Sequence, residues 1–192
     1  MCYWVYPWQD MPSHLVGFSD SDWAGCVKSR RSTSGGGITL GKHLLTHWSR
    51  TQSCVALSSG EAELNAMLEA ACEGLSLQYL LKEVGVETGL HMLGDSSASH
   101  GTLQRQGAGR IKHLQTRQLW LQEKVHEKEI SIEKIPRERN WADLLTHAWS
   151  PASWGLFGDM GIHSVSGADG EPGGASRQHI TKPIPGRPSQ CP

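Results

Sequence analysis

Residues 15–25, Leu-Val-Gly-Phe-Ser-Asp-Ser-Asp-Trp-Ala-Gly, limit the folds open to this chain more than any other stretch. An apolar run with strand character ends in two carboxylates, Asp20 and Asp22, and turns at Ala24 and Gly25. A strand that carries an aspartate to its own C-terminal end, beside a glycine turn, holds that carboxylate at the rim of a sheet. In open α/β folds the rim is where ligands sit. Three further acids stand in settings that converge on such a rim: Glu63 opening a helix, Asp95 ending a second strand and Asp143 opening a late helix. Carboxylates brought together repel one another, and a divalent cation is the simplest way to hold them.

The element order supports that convergence. After the first strand comes a polar loop, residues 26–37, that closes on three glycines. Residues 38–49 read as two short strands turning at Gly41 and Lys42, and residues 53–58 as a further extended piece. Leu64, Met67, Leu68, Ala71, Leu75 and Leu81 recur at helical spacing, which predicts a helix over 59–83 stopped by Gly85. A short strand over 90–94 leads to a short helix reaching about residue 104, and an amphipathic helix follows over 113–128. Residues 129–135 alternate as the last strand, closed by Pro136, and 141–148 form a final helix. The first three strands form an antiparallel meander, and the last two join through helical crossovers as parallel additions. The expected fold is therefore α/β: a five-stranded mixed sheet flanked by helices.

Each acid also has a structural reading. Asp20 and Asp22 suit a turn start, and because the turn begins here only one need face the rim; Asp20, nearer the apolar strand, is preferred. Ser58 and Glu61 fit a capping box, which occupies Glu61 and leaves Glu63 beside the apolar stripe in need of a partner. Asp95 suits a helix N-cap, and Asp143 suits a first-turn acid complementing the helix dipole. The joint pattern is harder to explain structurally than any single acid.

Composition sets the outer limits. In 192 residues there is room for one domain and a tail, and a net charge of −1 gives no whole-molecule field to name a partner. Nine of the 18 Lys and Arg residues nevertheless fall between Arg105 and Arg139. The five cysteines are scattered and odd in number, without a Cys-x-x-Cys pair. That points to a reducing, intracellular compartment (cytoplasm or nucleus) without a disulfide frame. The N-terminus is a poor signal peptide and no run approaches a membrane span. From residue 150 onward the chain holds six of its nine prolines and eight of its 22 glycines. The expected division is a lead-in over 1–14, a folded domain over 15–149 and a disordered tail over 150–192.

Several ordered motifs carry a resemblance. Gly17-Phe-Ser-Asp-Ser-Asp-Trp-Ala-Gly, Arg31-Ser-Thr-Ser-Gly, Ala56-Leu-Ser-Ser-Gly-Glu-Ala-Glu-Leu, Gly94-Asp-Ser-Ser-Ala, Lys112-His-Leu-Gln-Thr-Arg and Ala142-Asp-Leu-Leu-Thr resemble the ribonuclease H domain of Ty1/copia-type retrotransposon Pol polyproteins, over about residues 15–148. The resemblance implies a ribonuclease H-like fold and hydrolysis of the RNA strand of RNA–DNA hybrids. It also implies two Mg²⁺ ions, with Mn²⁺ as a substitute, held by Asp20, Glu63, Asp95 and Asp143. Nucleic-acid contacts would fall on Arg31, Ser32, Thr33, Ser34, Lys112 and Arg117, with Lys28, Arg30, Arg105 and Arg110 adding charge. The implied partners are the hybrid and the reverse transcriptase of the same polyprotein, with the domain itself a monomer. Gln115 replaces the family's usual acid, Leu119 and Trp120 replace its aromatic–His pair, and the loop over 135–140 has no histidine. These departures leave the four acids in place, and they keep open an alternative: an inactive or host-retained relic that binds nucleic acid without cutting it. The acid order, with the glutamate second, argues against a DDE-type integrase, whose glutamate comes last.

Overall fold

The computed structural model describes residues 2–4, 6–105, 116–147, 154–160 and 162–164. Strand β1 (Cys2–Trp4) pairs antiparallel with β7 (Ile162–Ser164) as a separate two-stranded ribbon. The main sheet has five strands: β2 (His14–Asp22), β3 (Thr33–Leu40), β4 (His43–Thr51), β5 (Gly89–Gly94) and β6 (Ile130–Lys134), in spatial order β4-β3-β2-β5-β6. β2–β3 and β3–β4 are antiparallel, whereas β2–β5 and β5–β6 are parallel. The meander plus two parallel additions is the topology expected from the sequence. It leaves β2, the strand that ends in Asp20 and Asp22, in the centre.

One correction concerns the glycine run. Residues 33–37, expected in a loop, are the first half of β3, where Gly35, Gly36 and Gly37 pair with Asp20, Ser19 and Phe18. Glycine is a poor strand former, and in a strand it marks close approach of another group. A methyl group on Gly37 would lie 2.5 Å from Cη2 of Trp141, and one on Gly35 would lie 2.7 Å from Cγ2 of Thr146. The glycines are a floor on which the segment carrying Asp143 rests. Conversely, residues 53–58 are not a strand; they form an irregular link that ends in the cap of the next helix.

Helix α1 (Ser59–Glu83) has the predicted bounds. The Ser58 hydroxyl accepts the Glu61 amide at 3.2 Å, and the Glu61 carboxylate accepts the Leu57 amide at 2.8 Å, one residue beyond the expected partner. Leu64, Met67, Leu68, Ala71 and Leu75 meet Leu15, Ile38, Leu90 and Met92 in the main core, which α2 (Ser97–Leu103) and α3 (Thr116–His126) complete with Leu103 and Leu121. After β6 come two short 3₁₀ segments, Arg137–Arg139 and Trp141–Leu145. The second stands where an α-helix over 141–148 was expected. On the other face of the sheet Trp141 packs with Leu44 and Met160, alongside Phe18, Leu156 and Phe157.

The packing does not stop at residue 149. α4 (Trp154–Asp159) follows, and Met160 beyond it is buried against the sheet. Residues before 15 are also tied down: the Gln9 side chain donates to the Leu40 carbonyl at 2.8 Å and accepts from the Lys42 amide at 2.8 Å. A further departure from expectation is that Cys26 is disulfide-bonded, while Cys72 is an exposed thiol. Among the described residues no helix is long and apolar enough to cross a membrane.

Candidate active site

β2 is apolar as far as Phe18 and then turns polar, so that its register opposite the glycines of β3 sets Asp20 under the Trp141–Leu145 segment. Asp20 is 3% exposed and accepts a hydrogen bond from the Thr146 hydroxyl. Asp22 points elsewhere: a methyl group on Gly25 would lie 1.6 Å from its Oδ2, so its carboxylate folds over the glycine turn. This geometry separates the two aspartates, and Asp20 alone faces the other acids.

Glu63 stands just past the first turn of α1, freed for the sheet because Ser58 and Glu61 serve the cap. Asp95 follows β5 directly, and Ser96, not Asp95, is the N-cap of α2, accepting the Ser99 amide at 3.2 Å. The cap reading of Asp95 therefore does not apply. Carboxylate oxygens of Asp20, Glu63 and Asp95 lie within 4.8 Å of one another, and Asp20, Asp143 and His147 form a second such group. The two groups share Asp20, so all four predicted acids meet at one end of the sheet.

Electrostatics express the crowding. Burial, and then the Asp20 charge, push the Glu63 carboxyl up to about 8. Burial raises Asp20 as well; the Thr146 hydrogen bond opposes this, while Asp143 and Asp95 add to it. Asp143 has basic side chains beside it instead: Arg137 Nη2 at 2.8 Å and Nε at 3.2 Å from its Oδ1, and His147 Nε2 at 3.8 Å. The segment is pinned by Asn140, fully buried, whose side-chain amide donates to the Ser19 carbonyl at 2.9 Å.

Arg137, Thr146 and His147 escaped the sequence reading. For the last two a signal existed, since they follow Asp143 at three and four residues, the spacing of neighbours on a helical turn. For Arg137 there was none, because its approach depends on how the loop after β6 folds.

The predicted nucleic-acid residues divide. Ser32 and Ser34 are fully buried; Ser32 accepts the Ala24 amide at 3.1 Å and Ser34 accepts the Gln52 side chain at 3.0 Å. Both hydroxyls are engaged within the fold, and Ser34 also borders the cavity that Arg117 lines. Thr33 is half-buried at the start of β3, and Arg31, with Lys28 and Arg30, is exposed in the preceding loop. Arg117, exposed on α3, borders a cavity of about 710 Å³ with Arg50, Asn65, Glu69, Cys72 and Trp120, none of them among the four acids. Lys112 and Arg110 lie outside the described residues.

A five-stranded sheet in this order, with helices and an acidic rim, is a ribonuclease H-like fold. Homologues of the chain are retrovirus-related Pol polyproteins from plant transposons. It is 31% identical to the Pol polyprotein from transposon TNT 1-94 of Nicotiana tabacum over 153 residues, which is 78% of this chain and 12% of that polyprotein. It is also 51% identical over 63 residues to the secreted RxLR effector protein 161 of Plasmopara viticola, 33% of this chain and 44% of that protein. Among solved structures, LC11-RNase H1, isolated from compost by a metagenomic approach, superposes with a TM-score of 0.49 at 20% identity, over 69% of this chain and 92% of that one. No protein-family model matches the chain. The chain thus spans less than half of the length of either curated relative.

Proposed function

We propose that this chain is a metal-dependent ribonuclease H that cuts the RNA strand of RNA–DNA hybrids, as part of a copia-type retrotransposon polyprotein. The observation that carries this reading is the meeting of Asp20, Glu63, Asp95 and Asp143 at one rim. The donor set fits hard divalent cations such as Mg²⁺, which take carboxylate oxygens. The raised Glu63 and Asp20 support the same fit, because a site whose acids resist ionising by themselves asks for positive charge. Asp20, Glu63 and Asp95 would hold one ion, and Asp20 with Asp143 and His147 a second. A pair of such ions, when bound, supplies an activated water and stabilisation of the leaving oxygen in an in-line displacement.

The chain's own residues prepare that chemistry. Asp20 is held by Thr146 from one side and by the strand register from the other, so its carboxylate does not swing away. Trp141, packed on Phe18 at 4.7 Å between ring centres, and the buried Asn140 fix the position of Asp143. Exposed Lys28, Arg30 and Arg31, in the loop after β2, supply positive charge for a phosphate backbone.

The test is a cleavage assay on labelled RNA–DNA hybrid and on duplex DNA, with Mg²⁺ and with EDTA. Cutting of the RNA strand in Mg²⁺ only, with duplex DNA intact, is expected. Preferential cutting of duplex DNA would overturn the reading. A second reading, a relic that binds without cutting, is favoured by the departures at Gln115, Leu119 and Trp120. Hybrid binding without cleavage in either Mg²⁺ or Mn²⁺ would select it.

A further inference from the structure

Arg137 stands apart from the acids it touches. It opens the 3₁₀ turn Arg137–Arg139, directly after Pro136 at the end of β6. Both of its contacts, through Nε and Nη2, fall on the single oxygen Oδ1 of Asp143, at 3.2 and 2.8 Å. Yet its side chain remains 64% exposed while that of Asp143 is 21% exposed. A cation reaching in from solvent to an acid of the inner site is easily exchanged, because a solvent-exposed ion pair of this kind contributes little to stability. A divalent ion brings twice the charge to the same oxygen. An arginine released at that point would stand at the rim that a scissile phosphate must approach, and its forked guanidinium matches phosphate oxygens.

We propose that Arg137 is an exchangeable counter-ion: it occupies Asp143 until a divalent metal claims the carboxylate, and then turns to a phosphate of the bound nucleic acid. This rests on the metal-dependent reading above. The exchange breaks no covalent bond and moves no proton.

The roles predict shifts of opposite sign in one variant, Arg137→Gln. Mg²⁺ binding by the full chain, followed by calorimetry without nucleic acid, should tighten about two- to fivefold once the competing cation is gone. Binding of a fluorescein-labelled RNA–DNA hybrid in Ca²⁺ should weaken, with the slope of log affinity against log salt falling by about 1. Arg137→Lys keeps the charge and should bind Mg²⁺ close to the wild-type affinity. A wild-type chain that binds Mg²⁺ while Arg137→Gln binds it equally or more weakly overturns the inference alone. So does an unchanged salt slope. A wild-type chain that takes up no Mg²⁺ overturns the metal-site reading and this inference together.

Discussion

At the scale of single residues, the two glutamates near the start of α1 separate structure from chemistry. Glu61 accepts the Leu57 amide while Glu63 faces Asp20 and Asp95. Glu61→Gln should cost at most about 1 kcal/mol in thermal or urea unfolding, as cap changes do. Glu63→Gln should reduce Mg²⁺-dependent hybrid cleavage by about 100-fold or more, read in the same assay, while leaving the metal-free fold intact. The reverse pattern would mean that the cap and the ligand had been exchanged.

The charge on Glu63 also has a pH signature. Its carboxyl in the folded chain titrates at about 8, above the ordinary value of 4.5, so the folded state holds the proton more tightly than the unfolded state. The stability it contributes is complete below about pH 4.5 and is lost as pH rises through 8. In EDTA the melting midpoint of wild type relative to Glu63→Gln should therefore fall between pH 5 and 8.5. Mg²⁺ should raise the wild-type midpoint more at pH 8.5 than at pH 6, because it stabilises the ionised form. A midpoint difference that rises with pH in EDTA would contradict the buried, acid-crowded setting of Glu63.

At the scale of elements, β3 and the segment that follows β6 form one unit although about a hundred residues separate them. Gly37 lies under the Trp141 ring, and a methyl group there would sit 2.5 Å from Cη2 and 2.7 Å from the Thr46 carbonyl. Backbone on one side and a packed indole on the other leave no room to relax. Gly37→Ala should destabilise the domain by about 1–3 kcal/mol in urea unfolding, as overpacking does. It should also lower cleavage at full saturation, because the displaced Trp141 carries Asp143 with it. A substitution without effect on either would show that the contact yields more readily than the packing suggests.

For the whole molecule, the second face of the sheet is closed by chain from beyond residue 149. Met160 is 3% exposed in the cluster of Leu44 and Trp141, the cluster that seats the Asp143 segment. Ending the chain at residue 150 should therefore lower the thermal midpoint, although the composition of that region reads as a tail. Met160→Ala should cost about 2–5 kcal/mol, the range for emptying a buried methionine site. An unchanged midpoint in both variants would show that α4 adds nothing to the domain.

The five strands of the main sheet, the long helix α1 and the placing of four acids at strand ends or helix starts were legible in the sequence for local reasons. A period-two or helical apolar pattern is written in neighbouring residues, and an acid at a strand end or helix start is defined by what precedes it. The bounds of α1 followed from Ser58 and Gly85 alone. What tertiary structure decided has a common physical cause: whether a group is free depends on partners distant in sequence. Asp20 and Asp22 are two residues apart and chemically identical, yet Thr146 takes one and the Gly25 turn takes the other. Three glycines read as a loop until Trp141 and Thr146 arrive to rest on them. Ser32 and Ser34 offer hydroxyls in the sequence and spend them on Ala24 and Gln52 in the fold. The sequence alone thus determined which carboxylates stand at strand ends and helix starts, while the packing of the last third of the chain against the first decided where they point.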